Sequence, residues 1–165
     1  MGGKDTDIAQ HGRRDRLVRE MDHDPYHAKK KLREPTVCPE CSAVFHDGRW
    51  QWAEVPDGAH ESLCPACERT RDRVPAGFLT LRGDFFPAHK DEIRNLIENV
   101  EQREKTEHPL GRIMGSEETD EGKVFTFTSP HITHAVGNAI ESAYDGELEH
   151  QYVPDAWLLR AYWER

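Results

Sequence analysis

The chain has 165 residues, of which 36% are hydrophobic and 32% are charged. This length and composition allow one ordinary domain, or a small module joined to a modest domain. The net charge of −9 argues against a protein that binds polyanions along its whole length. No apolar run approaches the ~20 residues that a membrane-spanning helix needs. We expect a cytoplasmic protein without a membrane partner, because no export signal leads the chain.

Residues 1–35 are polar and basic and show no core pattern. They carry nine Lys/Arg and seven Asp/Glu, whereas residues 111–165 carry four Lys/Arg and ten Asp/Glu. This composition predicts a flexible basic arm. The arm contains two basic clusters, which are Arg13, Arg14, Arg16 and Lys29, Lys30, Lys31, Arg33. Such clusters can neutralise the phosphates of RNA, although ordinary solvated arms have the same composition.

Residues 36–76 hold all the cysteines of the chain, as two Cys-Pro-x-Cys pairs. The four cysteines are Cys38, Cys41, Cys64 and Cys67. Two residues between cysteines let a tight turn direct both sulfurs at one point, and two such turns supply the four ligands of a tetrahedral Zn²⁺ ion. A closed four-thiolate shell leaves no position for water, so we predict a structural four-cysteine zinc ribbon and not a catalytic metal.

Three other interpretations of these cysteines fit the sequence less well. A thioredoxin-like redox pair would lie in a βαβ pattern, which neither pair has. Two disulfides would need an oxidising compartment. A nucleobase deaminase shares the Pro-Cys-x-x-Cys motif but needs an upstream His-x-Glu, which occurs nowhere in the chain.

Aromatic and basic residues surround the two pairs. Arg49 to Val55 alternates as a strand does, and we expect Trp50, Trp52 and Val55 to pack over the cysteines. The alternative is a platform on which bases stack. After the second pair, arginine recurs at every second residue, as Arg69, Arg71 and Arg73. In an extended segment these three would share one face and could contact phosphates.

A boundary at 75–77 separates the module from a more regular region, residues 77–165. Its hydrophobic patterns predict the order β-α-β-β-α-β-β. The first helix has an apolar stripe at Ile93, Leu96, Ile97 and Val100. The second begins at Ser129 and Pro130, as N-cap and first position. We therefore predict an α+β fold, with a ferredoxin-like β-α-β-β-α-β domain and an extra C-terminal strand.

No catalytic motif is evident. The sequence has no Gly-x-Ser-x-Gly, no phosphate-cradling glycine loop and no His-Glu-x-x-His. His131 and His134 make only a weak metal pair, and a cation at His108 would suit a helix end. We therefore do not expect an enzyme.

The paired knuckles followed by an α+β region resemble the nonsense-mediated-decay-three family, the adaptor that accompanies the large ribosomal subunit during export in eukaryotes and has archaeal relatives. The small-residue helix 135–140, the segment 143–148 and the ending 162–165 look like that family's pattern. That family usually has further Cys-x-x-Cys pairs. The chain also looks like small uncharacterised bacterial zinc-ribbon proteins with an Arg-Trp-Gln-Trp run. The resemblance implies contact with ribosomes or ribosomal RNA.

Our leading hypothesis from the sequence is a non-catalytic zinc protein that binds ribosomal RNA or a ribosomal subunit through its basic residues. The alternative is a zinc-stapled protein–protein adaptor with no role in nucleic-acid binding. The sequence leaves the oligomeric state open.

Overall fold

The structure is a computed structural model that describes Tyr26 and residues 31–165. These residues form two units, the cysteine module (residues 36–76) and the α+β domain (residues 77–165), each with its own sheet. The predicted α+β class is confirmed. Five of the predicted RNA contacts lie outside the described residues: Arg13, Arg14, Arg16, Lys29 and Lys30.

The cysteine module is a small sheet followed by one helix. Its elements are β1 (Thr36–Val37), β2 (Val44–His46), β3 (Arg49–Gln51), β4 (His60–Glu61) and α1 (Pro65–Asp72). The strand order is β3-β2-β1-β4, with β4 parallel to β1 and the other pairs antiparallel. The turn between β2 and β3 places Asp47 and Gly48 at φ values of 52° and 77°, which glycine adopts without strain.

The aromatic residues of the module have separate environments. Trp50 is 6% exposed and packs against the cysteines, as predicted. Trp52 and Val55 are 38% and 45% exposed, so the prediction that they also cover the cysteines is wrong. The strand ends at Gln51, and the alternation that buries Trp50 stops with it.

The second cysteine pair begins a helix and does not lie in a second hairpin turn. Cys64 is the N-cap of α1, its Sγ accepts a hydrogen bond from the Cys67 N–H at 3.4 Å, and Pro65 takes the first helical position. Proline suits that position because its φ is preset and the missing N–H has no helical partner. The module therefore combines a knuckle, a hairpin and a helix, and departs from the predicted ribbon of two knuckles.

The α+β domain alternates strands and helices as its pattern predicted. Its elements are β5 (Gly77–Arg82), α2 (Phe85–Ala88), α3 (Lys90–Glu107), β6 (Ile113–Thr119), β7 (Gly122–Phe127), α4 (Pro130–Tyr144), β8 (Glu147–Val153), a 3-10 turn (Pro154–Ala156) and β9 (Leu158–Glu164). The helix starting at Ser129 and Pro130 is confirmed, and the Ser129 hydroxyl accepts a hydrogen bond from the Ile132 N–H at 3.3 Å.

The strand order of this sheet is β6-β7-β5-β9-β8. In the predicted ferredoxin-like plan the fourth strand, β8, would lie beside β5. Instead β9 lies there, parallel to β5, and β8 pairs antiparallel with β9 at the edge. The reason is burial: Leu159, Ala161 and Trp163 of β9 are at most 2% exposed, whereas β8 has no fully buried residue. The strand with more apolar surface takes the inner position.

The core of the domain lies between this sheet and the two long helices. Ile93, Ile97 and Val100 are buried and Leu96 is half-buried, which confirms the predicted stripe on α3. Helix α4 lies very close to β5: a Cβ on Gly77 would be 1.7 Å from the Thr133 hydroxyl oxygen. Only glycine permits this approach.

The opposite side of the sheet, which we name the open sheet face, presents a second set of side chains. It is lined by Phe78, Thr80, Glu117, Thr119, Asp120, Glu121, Val124, Arg160 and Tyr162. The guanidinium of Arg160 stacks over Phe78 at 4.8 Å, and that of Arg82 over Tyr162 at 4.3 Å. Across the described part of the chain, no helix is long and apolar enough to span a bilayer.

Candidate metal centre

The four cysteines predicted to bind metal come together in one cluster. One Sγ from each of Cys38, Cys41, Cys64 and Cys67 lies within 4.8 Å of the others, and the Cys41 and Cys64 sulfurs are 3.7 Å apart. All four are free thiols, and three are buried. Four sulfurs at about 2.3 Å from a tetrahedral ion stand about 3.8 Å apart, so this set can hold a metal ion.

Local backbone geometry directs each pair of sulfurs at the centre. After Cys41 the chain turns back, with the Ser42 N–H donating to the Cys38 carbonyl at 2.9 Å and the Cys38 N–H donating to the Ala43 carbonyl at 2.8 Å. Ser42 has a φ of 66°, a conformation that glycine often supplies. At the second pair, the first turn of α1 places Cys64 and Cys67 on the same side.

The fifth member of this site, Arg112, has no signal in the sequence. Its Nη1 donates to the Cys67 sulfur at 3.1 Å, and its Nη2 donates to the Cys41 sulfur at 3.1 Å and approaches Cys64 at 3.7 Å. Its Nε donates to the Pro109 carbonyl at 2.9 Å. Arg112 belongs to the α+β domain, so the cysteine cluster is completed by a cation from the other unit.

Arg112 and the cysteine thiols each influence the pKa values of the others. Burial opposes the charge on Arg112, but the hydrogen bonds and charges of Cys41, Cys64 and Cys67 raise its pKa above the usual value. Burial likewise opposes ionisation of Cys41, but the Ala43 N–H and Arg112 lower the pKa of this thiol to about 7. Burial dominates at Cys64 and raises the pKa of its thiol. The site thus favours a thiolate at one position before any metal is present.

Further contacts join the module to the domain on either side of the cluster. The indole N–H of Trp52 donates to the Lys105 carbonyl at 2.6 Å, and Leu110 packs against the cysteine cluster. On the other side, the guanidinium of Arg69 stacks on Trp157 at 5.3 Å and on Tyr26 at 4.4 Å. The two units therefore meet at the cysteine cluster and at these flanking contacts.

The predicted arginine face at the end of the module is wrong. Residues 65–72 form helix α1, where positions two apart point in different directions. Arg69 is 2% exposed and donates to the Val74 carbonyl at 3.0 Å, so it cannot meet a phosphate. Arg71 is exposed but pairs with Asp72 at 3.1 Å, and Arg73 caps the helix at a φ of 57°. From the second basic cluster, Arg33 is exposed and Lys31 is also at the surface.

The histidines do not form the weak metal pair that the sequence predicted. His131 does not pair with His134. Its Nε2 lies 3.2 Å from a carboxylate oxygen of Glu104, and its ring is 5.0 Å from that of His108. His134 instead contacts Asn138 at 3.0 Å and lies against His150.

No family model, no curated protein and no solved structure matches this chain. The resemblance to the nonsense-mediated-decay-three family therefore stays a prediction.

Proposed function

We propose that this chain is a non-catalytic zinc protein in which the metal holds the cysteine module against the α+β domain, and that the assembled surface binds a protein partner. The contact of Arg112 with three of the four sulfurs is the observation that carries this proposal. It connects the proposed metal centre to the second unit and leaves no position at which a substrate would meet the ion.

Zinc is the ion that this donor set favours. Four soft thiolates in a tetrahedral arrangement suit Zn²⁺, which adds no redox chemistry. Four thiolates and one Zn²⁺ carry a net charge of about −2, and Arg112 offsets part of it. In zinc-finger peptides, structural zinc contributes on the order of 10–16 kcal/mol to folding. Through Arg112, part of that free energy would stabilise the interface between the two units.

The charge of the described residues favours a protein partner over RNA. Residues 31–165 carry 15 Lys/Arg and 25 Asp/Glu. On the open sheet face, Phe78, Val124 and Tyr162 provide apolar surface. Three carboxylates border it as an acidic margin at Glu117, Asp120 and Glu121, of which Glu121 pairs with Arg82 at 3.2 Å, and Arg160 stacks over Phe78. A phosphate backbone is repelled by such a margin, whereas an extended segment with Lys or Arg beside apolar residues complements it. We therefore propose a basic protein segment as the partner of this face.

Ribosomal RNA is the second candidate, and it depends on the basic clusters at 13–16 and 29–33. Contact through these residues would weaken steeply with salt, because each neutralised phosphate releases counterions. Binding of a protein to the open sheet face would depend on the acidic margin instead. The two proposals thus assign the partner to different residues.

A photocrosslinking experiment separates the two candidates. Tyr162 is replaced by benzoylphenylalanine, the cell extract is irradiated, and adducts are identified by mass spectrometry with and without ribonuclease. The protein-partner proposal expects one adduct that survives ribonuclease and is lost in a Glu117→Gln, Asp120→Asn, Glu121→Gln variant. A matched control changes Lys29, Lys30 and Lys31 to Ser and keeps the adduct.

Two outcomes would contradict the protein-partner proposal. An adduct that disappears with ribonuclease or in the lysine variant supports RNA contact. An adduct that forms equally in the acidic-margin variant shows that the open sheet face does not select its partner by charge. Sedimentation of the unmodified chain with ribosomal subunits at low and high salt then tests the RNA candidate directly.

A further inference from the structure

A second group of metal-binding side chains lies where α3 ends and α4 begins. Glu104 is in the last turn of α3, His108 caps that helix, and His131 is the second residue of α4. A carboxylate oxygen of Glu104 is 3.2 Å from His131 Nε2, and one ligand atom from each of the three residues lies within 4.8 Å of the others. The cysteine centre contains none of these residues.

We propose that Glu104, His108 and His131 bind a divalent transition-metal ion such as Zn²⁺, Ni²⁺ or Co²⁺, in addition to the ion at the cysteines. Two imidazoles and one carboxylate are a common ligand set for these ions. Ligand atoms about 2.1 Å from a metal stand about 3–3.4 Å apart, and Glu104 and His131 already meet this spacing. The His108 ring is exposed, and its ligand atom already lies within 4.8 Å of those of Glu104 and His131.

The backbone holds the three positions together, so the cluster is not a chance meeting of long side chains. After α3, the Gly111 N–H donates to the His108 carbonyl at 3.0 Å. The Arg112 N–H then donates at 2.8 Å to the hydroxyl of Thr128, just before α4, and that hydroxyl donates to the Leu110 carbonyl. The start of α4 is thereby tied to the end of α3. The C-terminus of α3 attracts a cation and the N-terminus of α4 repels it, so the two helix dipoles have opposite effects. The affinity for the metal ion therefore depends on the three ligands themselves.

A metal ion at this site would stabilise the segment that presents Arg112 to the cysteines. His108 lies four residues before Arg112, and Pro109 between them accepts the hydrogen bond from the Arg112 side chain at 2.9 Å. A metal bound at His108 would hold one end of this segment, while the cysteine centre holds the other. We therefore expect the second ion to raise the thermal midpoint of the zinc-loaded protein.

The test uses the full-length, untagged, zinc-loaded chain and Ni²⁺ as the probe. Equilibrium dialysis and isothermal titration measure Ni²⁺ bound per chain, with the zinc content checked before and after. We expect one Ni²⁺ in the wild type and at least tenfold weaker binding in His131→Ala, His108→Ala and Glu104→Gln. His134→Ala is the matched control and should bind Ni²⁺ as the wild type does, because His134 is engaged with Asn138.

A second measurement needs no variant. Paramagnetic Ni²⁺ should broaden the amide signals around residues 104, 108 and 131 of the wild-type chain before any others. Absence of Ni²⁺ binding, equal binding in His131→Ala, or broadening centred elsewhere would each overturn the proposal. Equal binding in that variant would place the ion on other histidines of the chain.

Discussion

At the scale of single residues, Arg112 determines what the cysteine cluster does for the molecule. Without this arginine, the four thiolates would stabilise only the cysteine module, because all four ligands belong to it. With it, the site is balanced by a cation 45 residues from Cys67 and 71 from Cys41 in the chain. A lone arginine between Gly111 and Ile113 has no spacing signal, so the sequence predicted the four ligands but not this partner.

Replacing Arg112 by Ala should lower the free energy of unfolding of the zinc-loaded chain by about 2–3 kcal/mol, because hydrogen bonds to charged groups are lost. The zinc held by the four cysteines should stay at one ion per chain. Arg112→Lys keeps the charge without the planar fork and should recover only part of the loss. Urea denaturation followed by tryptophan fluorescence measures both. A loss below about 0.5 kcal/mol in Arg112→Ala would mean that the contact is incidental.

The thiol of Cys41 provides a test by pH. In the metal-free chain its pKa is lowered from 9.0 to about 7, so the folded state binds the proton less tightly than the unfolded state. The stabilisation from this thiolate is therefore present above about pH 9 and is lost as the pH falls through about 7. Iodoacetamide should modify Cys41 with a midpoint near pH 7, ahead of Cys64, whose pKa is raised.

Mass spectrometry of the modified peptides checks this order. Added zinc should protect both cysteines, since a metal-bound thiolate is a poor nucleophile. Modification of Cys64 before Cys41, or a midpoint for Cys41 near pH 9, would contradict the role given to Arg112.

At the scale of elements, the sequence predicted which face of an element is buried better than it predicted which strands lie side by side. The stripe on α3 and the Ser129–Pro130 start of α4 were predictable because they depend on local periodicity and capping. The position of β9 was not, because alternation tells which side chains are buried but not which strand lies beside β5. Helix α1 was missed because half of its eight residues are charged and few are apolar, which hides the helical period.

The contact between α4 and β5 predicts a large effect from one methyl group. In Gly77→Ala the new Cβ would meet the Thr133 hydroxyl at 1.7 Å, so α4 must shift. We expect a loss of about 1–3 kcal/mol, at the upper end of this range because the neighbour is fixed in a helix. Adding Thr133→Ala should restore part of the loss. Thermal denaturation of the two single variants and the double variant measures the coupling. Additive effects would show that the two residues are not in such close contact.

At the scale of the whole molecule, we propose that the metal stabilises the contact between the cysteine module and the α+β domain. The cysteine ligands come from the module, the compensating cation comes from the domain, and Trp52, Leu110 and Arg69 make contacts around them. The described residues are acidic overall, which is why the RNA hypothesis now depends on the basic clusters of the arm alone. The spacing of cysteines predicts a metal site, but only packing shows that this site lies at an interface.

The most direct test of this joining role is hydrogen exchange before and after a chelator removes zinc. We predict faster amide exchange in the cysteine module and also in the domain segment 108–113, which carries Arg112 to the cluster. The central turns of α4, where Val136 and Ile140 lie in the core of the domain, should change little and serve as the internal reference. Faster exchange confined to the module, with 108–113 unchanged, would contradict the claim that the metal joins the two units.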